Sequence, residues 1–252
     1  MTVMLPPPST AVDDLLPTLR AQGFAVLDAA GVGAWLGLAP QALAALQPAW
    51  DDLPADEYLK DGGRYRRRRH GCYRIDAAGS LAAVPHRAHY QPLEYNALHG
   101  GMRRWFAPLT PALTEQPAWP RLLMGVAQLA SALRGPRTWY LEAHPFRIDT
   151  TGGIGRPTPE GAHRDGVDLV AVFLVRRHAI KGGESRVFEA DGPRGQRFTL
   201  VEPWSALLLD DERVIHETTP IQPLREGEPG WRDTLVLTVR SGGFLGDEEG
   251  AG

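Results

Sequence analysis

The stretch Glu160-Gly-Ala-His-Arg-Asp-Gly166 sets an imidazole and a carboxylate one residue apart. On an extended strand, residues two apart face the same way, so His163 and Asp165 are expected side by side, within reach of one cation. Such a pair is common by chance, and the residues downstream give it weight. An apolar run at 169–175 comes next. His216 stands about fifty residues beyond His163, after a second apolar run at 206–209 and the acidic turn Asp210-Asp211-Glu212. His216 is therefore expected near the end of a strand or in the loop after it. Arg232-Asp233-Thr234 then opens a last apolar run at 234–239.

These runs belong to a texture that begins near Thr138. Segments 139–148, 169–175, 185–189, 197–201, 206–209 and 234–239 are short and apolar or alternating, and Gly, Pro and Asp turns such as Gly152-Gly153, Gly182-Gly183 and Asp191-Gly192-Pro193 separate them. Many short strands with this punctuation predict a sandwich or barrel, of which a jelly roll is one solution. Before Thr138 the texture is helical. Leu122, Leu123, Val126, Leu129, Ala130 and Leu133 recur at helical spacing, with Pro120 in the first turn and Gly135-Pro136 as the stop. Val12, Leu15, Leu16 and Leu19 predict a first helix capped by Ser9 or Thr10 and ended by Gly23. A short strand at 24–27 comes after it, then an Ala/Leu-rich helical stretch between Gly33 and Trp50 that Pro40 breaks. The expectation is one α+β domain over 1–252. Its main strand core is at 138–240, its helices are N-terminal and central, and residues 1–10, with Pro6-Pro7-Pro8, form a stiff, poorly ordered tail.

The chain has 252 residues, a net charge of -3 and one cysteine, Cys72. Its length suffices for one well-buried core. An intramolecular disulfide and a thiolate-rich metal site are excluded, and the charge gives no general attraction to nucleic acid or anionic membrane. The opening Met1-Thr-Val-Met-Leu has neither a cationic start nor a sustained apolar stretch, and no run approaches a membrane span. The expected location is cytoplasmic.

Two imidazoles and one carboxylate on one face of an octahedron leave three positions open, the arrangement of mononuclear non-haem Fe(II) oxygenases. Ordered as His163, Asp165, His216, Arg232 and Thr234, the second half of the chain resembles the double-stranded β-helix of 2-oxoglutarate- and Fe(II)-dependent dioxygenases, with Thr234 where that superfamily usually has Ser. More narrowly, Arg64-Tyr-Arg-Arg-Arg-Arg-His70, Tyr95-Asn-Ala-Leu-His-Gly-Gly101, His144-Pro-Phe-Arg147, Glu160 to Gly166 and Gly182-Gly-Glu-Ser185 resemble the bacterial free L-amino-acid hydroxylases typified by isoleucine 4-hydroxylase. The resemblance spans roughly residues 60 to 240.

It implies that His163, Asp165 and His216 hold Fe(II), that 2-oxoglutarate chelates the metal, and that Arg232 and Thr234 bind its far carboxylate. O2 would complete the reaction, giving succinate, CO2 and a hydroxylated product, with ascorbate helpful in vitro. The substrate class implied is a small free L-amino acid, aliphatic such as Ile, Leu or Met, or cyclic such as pipecolic acid.

The basic run Arg66 to Arg69 can be a nucleic-acid patch, a source of one inward carboxylate clamp, or a solvated edge. Strand alternation turns its members two ways. Arg66, Arg67, Arg68, Glu94 and Arg147 are the candidate substrate residues, and His144 a supporting one. Three rivals stand beside this reading: a nonenzymatic metal-binding jelly roll, the same chemistry on a peptide or carrier-tethered substrate, and a nucleic-acid module. A halogenase would lack the carboxylate ligand, and Asp165 speaks against that.

Overall fold

The structure, a computed structural model, describes residues 4–247. In chain order its helices are α1 (Leu15–Gln22), α2 (Ala29–Leu36), α3 (Pro40–Ala44), α4 (Pro111–Thr114) and α5 (Ala118–Arg134). Its strands are β1 (Phe24–Leu27), β2 (Arg66–Arg68), β3 (Gly71–Ile75), β4 (Leu81–Ala83), β5 (Trp139–Asp149), β6 (Leu169–His178), β7 (Ile180–Gly182), β8 (Ser185–Glu189), β9 (Gly195–Phe198), β10 (Ala206–Asp210), β11 (Val214–Thr218), β12 (Ile221–Pro223) and β13 (Trp231–Ser241).

The helices start and stop for local reasons. Gly23 ends α1 in the left-handed region at φ 80°. The side chain of Asp28 accepts from the Gly31 amide and starts α2 four residues before the expected stretch. Pro40 separates α2 from α3. The long helix α5 keeps Pro120 in its first turn and stops at Gly135. Leu122, Leu123, Val126, Leu129 and Ala130 are its buried stripe. Each such leucine contributes roughly 1.5–3 kcal/mol by leaving water.

The main sheet has the order β1-β10-β6-β13-β5-β3-β4, with β2 also paired to β5. Its strand pairs are antiparallel. A three-stranded sheet, β11-β8-β9, and a two-stranded one, β12-β7, complete the architecture. Strands from the first half of the chain therefore join the sheet, which extends well beyond the expected core at 138–240. Segment 197–201 pairs only in part, since β9 ends at Phe198. The described part of the N-terminal tail is tied down: Thr199 donates its amide to the Leu5 carbonyl, and Ser9 bridges Val26. Residues 1–3 of that expected tail lie outside the described residues.

Alternation gives the main sheet two different faces. Leu141 and Ala143 of β5, Ala171, Phe173 and Val175 of β6, and Leu235, Leu237 and Val239 of β13 pack against the helices. The intervening residues point the other way. On β6 and β10 these are Val170, Leu174, Leu207 and Leu209, which meet Val187, Phe198 and Val214 of the small sheet. On β5 and β13 they are Glu142, His144, Phe146, Ile148, Arg232, Thr234, Val236 and Thr238, and they line a cavity. One register thus seals a core on one face and fills a cavity with polar groups on the other.

Candidate metal centre and its cavity

His163 and Asp165 lie on a loop between β5 and β6, not on the regular strand expected from their spacing. His163 gains strand-like order from an isolated bridge to His216: its amide donates to the His216 carbonyl at 3.0 Å, and its carbonyl accepts from the His216 amide at 2.9 Å. His216 stands on its own strand, β11, paired to β8. The exchange sets the two imidazoles with ring centroids 4.7 Å apart. Asp165 is aimed by its backbone: Asp211 accepts the amides of Asp165, Gly166 and Val167 at 3.0, 2.8 and 3.1 Å. Gly166 turns the chain at φ 77°, where an added Cβ would lie 2.5 Å from the Tyr95 ring. Gln91 donates to Asp165 Oδ1 at 3.1 Å and accepts from Asn96 and Arg104.

The three groups converge. His163 Nε2 lies 3.7 Å from Asp165 Oδ1 and His216 Nε2 lies 3.8 Å from Asp165 Oδ2. One donor atom from each of the three lies within 4.8 Å of the others. His163 Nδ1 donates to the Gly161 carbonyl at 2.9 Å, so Nε2 is the nitrogen turned to Asp165 and the one that would ligate a metal in exchange for its proton. Electrostatics favour a positive charge here. Burial works against protonating His163, but Asp165 and Glu160 outweigh it and raise its pKa to about 10. Burial works against ionising Asp165 too, and His163 outweighs it and brings that pKa down to about 2. His216 moves down to about 4, through burial and then the neighbouring His163. Burial and the Asp165 charge push Asp211 up to about 7. Two imidazole nitrogens and a carboxylate around one point form a donor set that fits a divalent transition metal in the place of the His163 proton.

A second group, His70, His89, Glu142 and His144, has equally close donor atoms. Its internal bonds argue for a hydrogen-bonded network. His70 and His89 both bond Glu142, at 2.9 and 3.2 Å. Burial would raise the Glu142 pKa, and these imidazoles instead hold it well below the usual range. His144 accepts from Arg68 Nη2 through Nδ1 at 2.7 Å, which uses that lone pair. Its position beside a guanidinium is poor for a cation.

The cavity reaches from the three converging groups to Arg232 on one side and to Arg66, Arg68 and Arg104 on another. Arg232 is buried, its Nε and Nη2 have no hydrogen-bond partner among the described residues, and Thr234 lines the same wall. Burial, then Arg177, lowers its pKa to about 10.

The candidate substrate residues divide. Arg66 and Arg68 pair with Ile148 and Phe146 in the β2–β5 ladder and face the cavity. Arg67 faces outward between them and lies 3.7 Å from Asp149. Arg147 is on the opposite face of β5, where it makes bidentate 2.7 Å bonds to buried Asp233, so alternation keeps it out of the cavity. Glu94 is exposed and lines a separate outer cleft. The burial of Arg66 and Arg68 and the pairing of Arg67 and Arg69 with carboxylates break up the basic strip that nucleic acid would need. Sequence reasoning missed Gln91, Arg104, Glu142 and Glu160 as cavity residues. Glu160 alone had a signal, three positions before His163. Gln91 and Arg104 come from irregular chain with no periodicity.

A family model described as 2OG-Fe dioxygenase matches residues 47–238. The crystal structure of a bsmA homolog from Methylobium petroleophilum PM1 is 53% identical, with 95% of this chain and 96% of that one covered and a TM-score of 0.89. Two more distant structures share the fold. IDO from Bacillus thuringiensis is 17% identical over 91% of this chain and 98% of that one, with a TM-score of 0.75. The Fe(II)/(alpha)ketoglutarate-dependent dioxygenase TqaL is 20% identical over 91% of this chain and 86% of that one, with a TM-score of 0.70. No curated protein matches the chain.

Proposed function

The chain belongs to the 2OG-Fe dioxygenase family, and from that premise we propose that it hydroxylates an unactivated C–H bond of a small free L-amino acid, acting as one dioxygenase domain with a jelly-roll core. The family implies Fe(II), 2-oxoglutarate and O2, which together supply the oxidation. His163, Asp165 and His216 would hold the metal. The Arg232 guanidinium, whose Nε and Nη2 have no partner among the described residues, would with the Thr234 hydroxyl take the far carboxylate of 2-oxoglutarate in a charge-assisted pair.

The observation that carries the substrate reading is a second cationic end. Arg66 and Arg68 face the same cavity as Arg232 from a different strand. One cationic end would serve the cosubstrate, and the other is available to the carboxylate of a substrate. Phe146, Ile148, Val172 and Val236 of the same cavity offer apolar wall for a side chain. Gln91 keeps Asp165 oriented, and Asp211 keeps the following turn closed. Among the described residues no single helix is long and apolar enough to cross a membrane.

The test is a screen of free L-amino acids with Fe(II), ascorbate and 2-oxoglutarate, read by mass spectrometry for a gain of one oxygen and by succinate release. Oxidation of one or a few related apolar amino acids is expected, since one methylene changes discrimination by only about 1–3 kcal/mol. Oxidation of a peptide or carrier-tethered residue, with every free amino acid left untouched, would overturn the substrate assignment.

A further inference from the structure

We propose that the cavity recognises its substrate as a zwitterion at two separate points: Arg66, Arg68 and Arg104 take the carboxylate, and Glu160 takes the ammonium group. This rests on the amino-acid reading above and assigns the residues that would enforce it.

The three arginines are 6%, 4% and 2% exposed and line one cavity. Each has a nitrogen without a hydrogen-bond partner among the described residues: Arg66 Nη2, Arg68 Nε and Arg104 Nε. Of the three, Arg66 is matched by a carboxylate, Asp56 at 2.7 Å. Arg68 bonds the neutral acceptor His144 and sits 3.7 Å from the Phe106 ring centre and 4.3 Å from that of Phe146. Arg104 bonds the amide oxygen of Gln91 at 3.0 Å. Glu142 lies nearby, but its oxygens already take the His70 and His89 donors. Buried guanidinium groups without a bound carboxylate are costly, and an anion entering the cavity relieves that cost. The planar fork of arginine suits a carboxylate in particular.

Glu160 is the complementary group. Its side chain is nine-tenths buried, it lines the same cavity, and its Oε2 has no partner among the described residues. Its other oxygen lies 3.5 Å from His163 Nε2, so an ammonium held there sits beside the metal centre. Carbons a few bonds further along the substrate then face the centre. Glu160 is also close enough to act electrostatically on Arg104, as an amino acid requires if its two charged groups are to be met at once.

The charge balance points the same way. With Fe(II) in the place of the His163 proton and the other lining histidines neutral, the arginines lining the cavity are Arg66, Arg68, Arg104 and Arg232, and the carboxylates are Asp165, Glu142 and Glu160, with Asp56 behind Arg66. Four positive groups meet four negative ones. Bound Fe(II) and the 2-oxoglutarate dianion cancel one another. What the site accepts at least cost is neutral overall and charged at both ends.

The test uses ligand-observed NMR binding on the metal-free protein, with L-leucine, L-isoleucine, L-methionine and L-pipecolate as probes. The tightest probe is then compared with its α-deamino acid and its methyl ester. In the wild type each analogue should bind at least about 30-fold more weakly, the low end of the cost of leaving a buried charge unpaired. Arg104→Gln should weaken the amino acid and its α-deamino acid alike and leave the ester unchanged. Glu160→Gln should weaken the amino acid and the ester and leave the α-deamino acid unchanged. Arg104→Lys and Glu160→Asp should recover part of the loss, and thermal melts establish that each variant is folded. Losses that ignore which end is capped, in folded variants, would overturn the two-ended assignment and leave the amino-acid reading standing. If no free amino acid is bound or oxidised while a tethered residue is, the substrate reading falls and takes this assignment with it.

Discussion

Arg232 shows how a single buried residue can carry a functional argument. Its Nε and Nη2 are enclosed and have no hydrogen-bond partner among the described residues, a state that costs stability unless a ligand supplies an anion. Arg232→Ala should therefore raise the KM for 2-oxoglutarate far more than that for the amino acid, by an amount equivalent to about 2–5 kcal/mol. Steady-state titration of each substrate measures this, and an unchanged 2-oxoglutarate dependence would move the clamp elsewhere. Gln91 supports a different claim. It ties Asp165 to Arg104 without being a donor-set member itself. Gln91→Met keeps the volume and removes the bonds, so Co(II) binding should weaken by roughly 10–100-fold, the usual cost of losing an outer hydrogen bond to a metal ligand. Spectroscopic titration with Co(II) at wild-type affinity would mean that Asp165 needs no such support. At this scale the sequence was legible where spacing encodes position. His163, Asp165, His216 and Arg232 keep an order that can be read along the chain, and strand alternation separates Arg66 and Arg68 from Arg67. It was opaque for Gln91 and Arg104, which reach the cavity through non-periodic chain. Arg147 misled because its motif is adjacent to His144, while a one-residue step on a strand reverses the face.

Elements were legible in proportion to the length of their pattern. The stripe of α5 and the alternation of β5, β6 and β13 span many residues, and each was anticipated within a few positions. The three-residue strands β2, β4, β7 and β12 are too short for a period, and they are strands only because a neighbour pairs with them. The loop carrying His163 and Asp165 is the opposite case: the pattern suggested a strand, whereas the order comes from one bridge and from Asp211 gathering three amides. That loop makes its own prediction. Gly166 has φ 77° and stands where a Cβ would meet the Tyr95 ring at 2.5 Å. Gly166→Ala should cost about 1–3 kcal/mol for the strained backbone, with further loss from the clash. The turn that aims Asp165 would loosen, so Co(II) affinity should fall along with the melting temperature. An alanine variant that melts and binds Co(II) as the wild type does would show that the turn can relax without disturbing the site.

The whole molecule buries several histidines, and that makes its stability depend on pH in a direction that can be worked out. His89, His99 and His216 each have a pKa of about 4 in the folded chain, with burial the largest cause in every case. Unfolded, each would titrate near 6.5. Between pH 6.5 and 4 the unfolded chain therefore holds protons that the folded chain refuses, and stability falls as pH falls. Asp211 acts against this. Its folded pKa of about 7 lets the native state hold a proton that the unfolded chain has lost, and that offsets one histidine across the same range. Asp165, at about 2 when folded, contributes only below the ordinary aspartate range. His163 is raised to about 10 in the metal-free protein, so it is protonated in both states below pH 6.5 and adds nothing there. His144 is held well below the ordinary range by burial as well, so four histidines against one aspartate leave a net uptake of about three protons on unfolding, worth about 1.4 kcal/mol each per pH unit. The urea midpoint of the metal-free protein should accordingly drop steeply from pH 6.5 to 4, and His89→Gln should flatten the dependence by about one proton. Binding Co(II) should shift the curve through a different group: the metal must displace the His163 proton, so the stabilisation it adds weakens as pH falls below the raised pKa of that imidazole, about 10. A midpoint that stays flat across this range in the metal-free chain would mean that these imidazoles are not held neutral by burial, and the hydrogen-bonded reading of the His70, His89, Glu142 and His144 network would have to be replaced.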